Sequence, residues 1–492
     1  RPGPILGRAG VNHPAMIAPT DSYPPLDIAV VGHTNVGKTS LLRTLLRQPD
    51  FGQVCDSAGT TRHVERTDLR IQGAVAVRYF DTPGLEDSVA LHHYLQSLPG
   101  DVPTPLERVR AFLRGPEAQA AFEQEAKVLR KLLEADAAIY VIDCREDVLP
   151  KYRCEIEILS ACAKPVMPVL NFARSPGHQA QAWQSTLAAY HLHASVLFDA
   201  VAPFVGAERQ LYEDLGVLLR ARRAQLQAIL DDLALQAQER RLAACQLVAS
   251  VLVSAAAMRR EVPQAALADP AHKTALLRGF RQSLTPQVTA CVQAVLAVYG
   301  FRPGDAEVAD LPWSSGRWEA DLFHPQTLLD AGHKLGKGAA VGAAVGLAAD
   351  VALAGLSLGT GTALGAAVGG LASQGWSQVP RKIANRMRRI EELTLEDEVL
   401  HLLASTLVRL CAALEQRGHA AWQRLHVGAQ PAADSAVPGA PALRDLLAHL
   451  APARSHPDWE QAQPGGATDA RRQRLVDALA GQLATLVAAP GD

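Results

Sequence analysis

The sequence predicts an α/β domain with a mostly parallel sheet and helices on both faces, followed by a mainly α-helical half. Short apolar runs occur at 26–32, 137–143 and 165–171, with stretches of helical spacing between them. Buried strands that alternate with helices are typical of a parallel sheet covered on both sides. From about Gly206 the strand signal ends and apolar residues recur every three or four positions, which indicates helices.

Length and composition limit the classes of protein. The chain has 492 residues, 48% hydrophobic and 20% charged, with a formal net charge of −2. This predicts two or three globular domains without a general attraction to nucleic acid. The seven cysteines are scattered without a CxxC pair, which is typical of reduced cytosolic thiols. Residues 1–24 are rich in proline and glycine, so we expect a disordered leader, with translation beginning near Met16.

A phosphate-binding loop follows the first predicted strand. Residues 32–39 read GHTNVGKT, and helical spacing begins directly after them. Backbone N–H groups of such a loop face phosphate oxygens, together with the N-terminus of the helix. Lys38 supplies charge to the β and γ phosphates, and the Thr39 hydroxyl is placed to hold Mg²⁺. The predicted nucleotide-binding residues here are Gly32, His33, Thr34, Asn35, Val36, Gly37, Lys38, Thr39 and Ser40.

Two further segments follow in the order expected of a nucleotide switch. Thr60 and Thr61 lie in the stretch SAGTTRH, and an alternating strand then ends in the sequence DTPG, residues 81–84. An aspartate at a strand end, here Asp81, holds Mg²⁺ through water, and the N–H of Gly84 can sense the γ phosphate.

With these motifs, residues 25–205 resemble the GTPase domains of the Era, TrmE and EngA group. GxxNVGKT, GTTRH and DTPG match that group in order and spacing. The resemblance implies GTP and GDP as ligands and Mg²⁺ as cofactor. It implies that Thr61, or else Thr60, closes on the Mg²⁺ that Thr39 and Asp81 hold.

The same resemblance implies a second cation. In that group an asparagine at the position of Asn35 is associated with K⁺, an additional positive charge beside the phosphates, and phosphoryl transfer depends mostly on positioned charge. The predicted catalytic residues are therefore Lys38, Asn35 and Thr61. The whole chain after Met16 resembles bacterial predicted GTPases with a C-terminal domain of unknown function and a glycine-zipper segment.

The chain departs from the common GTPase pattern after the DTPG sequence. Many GTPases place a water-orienting glutamine where this chain has Leu85. We therefore expect slow hydrolysis, or help from K⁺, from a second copy, or from the carboxylates of Glu86 or Asp87.

A second departure concerns the base. Guanine is normally read by Asn-Lys-x-Asp, and here the matching residues are Asn171, Phe172, Ala173 and Arg174. Arginine has no hydrogen-bond acceptor, so Arg174 cannot replace the aspartate. The resemblance favours GTP, with ATP as the alternative. Asn171 is a candidate base contact, and residues 198–203, FDAVAP, are a candidate to complete the pocket.

The pattern along the chain predicts six segments. The insertion at 88–136, which follows the DTPG sequence, is mostly helical and could move with nucleotide state. We expect a disordered leader at 1–24, a GTPase domain at 25–205 with its helical insertion at 88–136, a helical domain at 206–330, a glycine-zipper hairpin at 331–380, a helical segment at 381–427, and a linker with short terminal helices at 428–492.

The segment 337–376 is rich in alanine and glycine and has Asp350 as its only charge after Lys337. Its glycines recur every four residues in two sets of three, which is typical of closely packed membrane helices. GLSLGTGT in the middle predicts a turn, and flanking basic residues favour a hairpin with both ends in the cytoplasm. The alternative is a tight hairpin or an oligomer interface within a soluble domain.

These observations predict a GTP-binding switch that hydrolyses GTP slowly and acts at the cytoplasmic face of the inner membrane, peripherally or integrally. One alternative is a ribosome- or RNA-associated assembly GTPase, although no basic RNA-binding module is evident. The other is a dynamin-like membrane remodeller, with the long helices as a stalk. Homo-oligomer formation is compatible with each of them.

Overall fold

The computed structural model describes residues 23–48, 51, 64–98, 104–201, 203–204, 206–263, 269–302, 306–307, 356–358, 390–395, 397–417, 425–426, 440–461 and 470–488. The chain divides into two compact units. The first comprises Arg1–Gln236 with Gly418–Ala420, and the second comprises Ala237–Arg417 with Ala421–Asp492.

The first unit contains a six-stranded sheet in the order β2-β3-β1-β4-β5-β6. Its strands are β1 Leu26–Val31, β2 Glu65–Ile71, β3 Ala74–Asp81, β4 Ala137–Asp143, β5 Val166–Asn171 and β6 Val196–Leu197. β2 pairs antiparallel with β3 at one edge, and the other pairs are parallel. The predicted mostly parallel sheet is therefore confirmed.

Helices cover both faces of this sheet. They are α1 Lys38–Leu46, α2 Ser88–Ser97, α3 Pro105–Arg114, α4 Glu123–Glu134, α5 Pro150–Ala161, α6 Ala180–Ala189, α7 Ala207–Leu218 and α8 Arg223–Ala257. Every residue of β4 is buried. Ala138, Tyr140 and Ile142 enter one hydrophobic cluster, and the alternate residues Ala137, Ile139 and Val141 enter the other. This alternation of side chains is the reason that a wholly apolar strand predicts a sheet with two covered faces.

The first unit continues beyond the predicted boundary at residue 205. Leu211 and Leu215 of α7, with Leu226 and Ile229 of α8, join the core of the sheet. Tyr212 also shares a buried hydrogen bond of 2.6 Å with the hydroxyl of Tyr79. Helical periodicity indicates that one face of a helix is buried but not which element buries it. The sequence therefore did not show that α7 and the start of α8 belong to the first unit.

The second unit is mainly helical, as predicted. It contains the later part of α8, α9 Pro270–Val298, α10 Asp397–Glu415, α11 Ala440–Ala448 and α12 Ala470–Val487. Among the described residues, one helical stretch, Arg220–Ala257, is long and apolar enough to cross a membrane by length and composition alone. Within its most apolar window 61% is buried inside the protein, which is also the behaviour of a core helix.

The second unit also contains strands that the sequence did not predict. β7 Arg259–Pro263, β10 Ile390–Leu395 and β9 Leu356–Leu358 form an antiparallel sheet in that order, and β8 Ala306–Glu307 pairs with β11 Leu425–His426. The prediction of a helix through 390–395 was wrong, and so was the prediction of a turn at 356–358. These strands are short and are formed by pairing between distant segments, so local periodicity carries little signal for them. The rest of 337–376 lies outside the described residues.

An ion pair joins three elements of the second unit. Arg260 of β7 donates two hydrogen bonds of 2.6 Å to the carboxylate of Glu460, and Ser283 of α9 donates a third at 2.8 Å. Hydrogen bonding to Arg260 lowers the pKa of Glu460 below its ordinary value of 4.5.

We expect Glu460→Ala to lower the free energy of unfolding by about 2 kcal/mol at pH 7, because Arg260 loses its buried partner. The pKa of Glu460 is depressed in the folded state, so its stabilisation exists above the unfolded pKa and disappears as pH falls through the folded pKa. Urea unfolding at pH 7 and below pH 4 measures both effects. The control Asp397→Ala removes an exposed partner of Arg454 and should change stability by less than about 0.5 kcal/mol. Equal losses for the two variants would contradict the prediction.

Candidate functional site

The phosphate loop has the backbone conformation that its glycines allow. Gly32 and Gly37 have φ values of 146° and 90°. A Cβ on Gly32 would lie 2.4 Å from the carbonyl oxygen of Val141, and one on Gly37 would lie 2.4 Å from Nδ2 of Asn171. Both positions therefore need glycine, and the loop passes directly into α1 at Lys38.

The Lys38 ammonium lies inside this loop. Its Nζ donates to the carbonyl oxygens of His33 at 2.8 Å and Gly32 at 3.3 Å. Burial lowers the pKa of Lys38, while the charges of Asp81 and Glu155 raise it. A buried ammonium bound to carbonyl oxygens is well placed to interact with an anion that enters the loop.

Thr39 and Asp81 meet beside the lysine. The Thr39 hydroxyl donates to Oδ2 of Asp81 at 2.5 Å. Burial raises the pKa of Asp81 to about 6, against the lowering effects of the Thr39 hydrogen bond and of Lys38. Its other oxygen, Oδ1, is buried without a hydrogen-bond partner. The hydroxyl oxygen of Thr39 and the buried carboxylate of Asp81, one oxygen of which has no hydrogen-bond partner, are hard oxygen ligands. This pair therefore fits Mg²⁺.

The DTPG sequence lies against the phosphate loop. The N–H of Leu85 donates to the carbonyl of Gly32 at 3.1 Å. A Cβ on Gly84 would lie 2.4 Å from Cγ2 and 2.7 Å from the backbone nitrogen of Thr34. The close approach of these two backbones therefore depends on glycine at position 84.

We expect Gly84→Ala to weaken GTP binding about 10-fold relative to GDP, because the added methyl group displaces the backbone beside the γ-phosphate position. Dissociation constants for the two nucleotides and the melting temperature measure the change. Gly481→Ala is the control, since nothing lies within 4 Å of its added methyl group. Unchanged discrimination between GTP and GDP in Gly84→Ala would contradict the prediction.

Two buried glutamates support the loop and the DTPG segment. Oε1 of Glu155 is 2.8 Å from Nδ1 of His33, and the other carboxylate oxygen accepts the Tyr140 hydroxyl at 2.9 Å. Oε1 of Glu125 accepts the N–H groups of Glu86 and Asp87 at 3.1 and 3.0 Å. Neither glutamate is predicted from the sequence, since single acidic residues within helices carry no motif.

The side chain of Asp87 has a local role. Its Oδ1 accepts the N–H of Ala90 at 3.0 Å and caps the N-terminus of α2, as aspartate commonly does. The neighbouring Glu86 is exposed. The cap supports a structural role for Asp87 over the predicted alternative of catalysis.

Asn171 connects three segments at the end of β5. Its Nδ2 donates to the carbonyl of Val36 at 2.9 Å, and its Oδ1 accepts the N–H groups of Phe172 and Ala200, each at 3.0 Å. The side chain is fully buried. Asn171 therefore ties the phosphate loop to the segment that follows β6, the segment predicted to complete the base pocket.

The aromatic residue after Asn171 lies next to the loop. The Phe172 ring approaches within 3.4 Å of a Cβ built on Gly37. Its face carries the Arg145 guanidinium at 3.9 Å, and Arg145 is paired with Asp143. The predicted sites thus come together along the carboxyl ends of the strands, where α/β sheets bind ligands.

Some predicted residues are not tested by these contacts. Thr60 and Thr61 lie outside the described residues. Asn35 is exposed with φ of 62°, Val36 is buried, and Thr34 and Ser40 are half-buried.

Comparison with known proteins gives two family matches along the chain. A family described as 50S ribosome-binding GTPase matches residues 27–172. A family described as domain of unknown function (DUF3482) matches residues 184–481, more than half of the chain. The chain belongs to the DUF3482 family. Its GTPase domain and its uncharacterised C-terminal domain confirm the resemblance inferred from the motifs.

Individual relatives of this DUF3482 protein match its GTPase part. GTPase Der of Rhizobium johnstonii is 30% identical over 150 residues, which cover 30% of this chain and 26% of that protein. The tRNA modification GTPase MnmE of Rhizobium meliloti is 44% identical over 63 residues, 13% of this chain and 14% of that protein. The chain thus spans about a quarter of the length of the Der protein that it matches.

One similar solved structure is Era in complex with MgGDPNP and nucleotides 1506-1542 of 16S ribosomal RNA. It is 22% identical, with a TM-score of 0.26, over 35% of this chain and 50% of that chain.

Proposed function

We propose that this DUF3482 protein is a GTP-binding switch that hydrolyses GTP slowly. One observation supports this most directly: Lys38, Thr39 and Asp81 converge at the mouth of a glycine loop, with Oδ1 of Asp81 buried and without a partner. An ammonium, a hydroxyl and a carboxylate in this arrangement are the groups that hold a nucleotide phosphate and its metal ion.

Residues of this chain perform distinct tasks in the proposed reaction. Thr39 and Asp81 would hold Mg²⁺, and Thr61 would complete the set when the γ phosphate is present. The ion would supply positive charge that neutralises the phosphates. Lys38 exchanges its loop carbonyl partners for phosphate oxygens. The N–H of Gly84 donates to the γ phosphate. Water attacks the γ phosphorus in line with its bond to the β–γ bridging oxygen, that bond breaks to release GDP, and the water proton leaves with the inorganic phosphate.

Slow hydrolysis follows from the residue at position 85. The Leu85 side chain is fully buried in the hydrophobic cluster under α5, and an apolar side chain cannot orient a water molecule. We propose that K⁺ at Asn35 adds a positive charge beside the phosphates, as the family resemblance implies.

Nucleotide binding with and without each cation tests this site. We expect GTP to compete with a fluorescent GDP analogue better than ATP does, and hydrolysis to need Mg²⁺ and to rise in K⁺ relative to Na⁺ at equal ionic strength. Asp81→Asn should remove the gain in GTP affinity that Mg²⁺ gives. Asp68→Asn, a control on β2 at a half-buried aspartate that pairs with Arg66, should keep that gain. Preference for ATP would contradict the guanine assignment, and equal rates in K⁺ and Na⁺ would contradict the role of Asn35.

We propose that the C-terminal half acts at the cytoplasmic face of the inner membrane through residues 337–376. The support is the two sets of glycines at four-residue spacing with basic residues on both sides. Membrane fractionation of the full chain and of a chain lacking 337–376 tests this. We expect deletion to release the protein into the soluble fraction. A full chain that is already soluble would contradict the proposal, and GTP-dependent oligomers on liposomes would favour the dynamin-like alternative.

A ribosome-associated role is the second candidate. It is supported by the family description, 50S ribosome-binding GTPase, that matches residues 27–172. Co-sedimentation with ribosomal subunits in the presence of a non-hydrolysable GTP analogue, and its loss with GDP, would favour this role over the membrane role.

A further inference from the structure

Two buried carboxylates lie at the edge of the nucleotide site near Asn171. Asp143 ends β4, and Asp199 follows β6; they are 6% and 5% exposed. Guanine presents an N1–H and an exocyclic amino group on one edge, and a carboxylate is the side chain that accepts both. Arg174 occupies the position of the usual aspartate, so the acceptor must come from elsewhere in the chain.

Asp143 is held by a neighbouring cation. The Arg145 guanidinium donates to its two oxygens at 2.9 and 2.6 Å and covers the face of Phe172. A fork-shaped pair of this kind fixes the carboxylate toward arginine. Asp143 therefore orients Arg145, and Arg145 in turn packs on the ring of Phe172.

Asp199 lies beside Arg174, the residue at the position of the usual aspartate. Its Oδ2 accepts the backbone N–H of Arg174 at 3.4 Å, and its Oδ1 accepts the N–H of Val201 at 3.0 Å. The Arg174 guanidinium lies over the ring of Phe204 at 4.5 Å and donates to the carbonyl of Pro203 at 3.3 Å. The carboxylate at this point of the pocket thus comes from the segment after β6.

Asn171 sets the position of Asp199 relative to the phosphates. The next residue, Ala200, donates its N–H to Oδ1 of Asn171, and Nδ2 of Asn171 donates to Val36 in the phosphate loop. The phosphate site and the Asp199 segment are therefore linked through one rigid, buried amide.

We propose that Asp199 reads the guanine base by accepting hydrogen bonds from its N1–H and amino group, in place of the aspartate that Arg174 replaces. This rests on the proposed function, since the phosphates must lie in the loop at 32–39 for the base to reach Asp199. The ligand class is a guanine nucleotide, and Asp199 is its specificity-determining residue.

The test is a change of base preference in the full-length protein. Xanthine keeps N1–H and has a carbonyl where guanine has its amino group, so the carboxamide of Asp199→Asn can accept from N1–H and donate to that carbonyl. We expect Asp199→Asn to bind GDP about 100-fold more weakly than the wild type, since two charge-assisted hydrogen bonds are lost. We expect it to bind XDP at least 10-fold more tightly than the wild type does. Competition against a fluorescent nucleotide measures both.

Asp143→Asn is the matched control, because it alters the other buried carboxylate at this edge, and it should produce no gain in XDP affinity. A variant that loses GDP and XDP affinity alike has only a structural defect, and that result would overturn the assignment of Asp199. So would unchanged GDP preference. If the wild type does not prefer GDP over ADP, or if Lys38→Ala leaves binding intact, the proposed function itself fails. A gain of XDP binding in Asp143→Asn alone would assign the base contact to Asp143.

Discussion

Lys38→Ala is expected to lower the affinity for GTP about 100-fold and to reduce hydrolysis below detection. The Lys38 ammonium is buried and held by two loop carbonyls, and no other lysine or arginine among the described residues is assigned to the phosphates. A positioned charge in a water-poor site contributes several kcal/mol to phosphate binding and to the transition state. Equilibrium competition and single-turnover hydrolysis measure the two effects.

A control variant separates phosphate binding from the loss of any ammonium that donates to a backbone carbonyl. Lys164 also donates to a backbone carbonyl, that of Ala135 at 2.7 Å, but it precedes β5 and so lies at the amino ends of the strands. Lys164→Ala should leave nucleotide affinity within about 2-fold of the wild type. Similar losses in the two variants would show that Lys38 acts through stability alone.

Asn171→Ala is expected to lower both stability and nucleotide affinity. The change leaves the buried carbonyl of Val36 and the N–H groups of Phe172 and Ala200 without their side-chain partner. Each such loss costs about 1–3 kcal/mol, so we expect about 3 kcal/mol from the free energy of unfolding. We also expect affinity for GDP to fall at least 10-fold, because the phosphate loop loses its link to the base segment.

Urea unfolding of the nucleotide-free protein and GDP titration measure these two losses. Ser185→Ala removes an exposed hydroxyl that donates to Gln181 within α6 and should change stability by less than about 0.5 kcal/mol. Wild-type stability in Asn171→Ala would mean that the buried amide does not brace the loop.

The effects of the two variants differ in kind. Lys38 contributes charge to the ligand, so its removal should weaken triphosphate and diphosphate binding while largely sparing the free protein. Asn171 contributes to the stability of the protein even without nucleotide, because its hydrogen-bond partners are all backbone groups of the protein itself.

The sequence by itself determined the order of strand, glycine loop and helix around Lys38. All of that information lies within a few consecutive residues, where backbone conformation and motif spacing are local properties. The apolar runs that precede Asp143 in β4 and Asn171 in β5 likewise indicated a covered parallel sheet, because a strand buried on both faces has no polar alternation. The membrane role of the segment 337–376 and the roles of Thr60 and Thr61 remain predictions.

Only the tertiary structure decided which distant side chains support this site. Glu155 reaches His33, Glu125 holds the backbone after the DTPG sequence, and Asp199 lies beside Arg174. The same holds for the sheet formed by β7, β10 and β9, whose strands come from widely separated parts of the chain. These contacts join residues far apart in sequence, and single acidic residues or short alternations carry no local sign of their partner. The fold must first bring the strand ends together before such residues acquire a role.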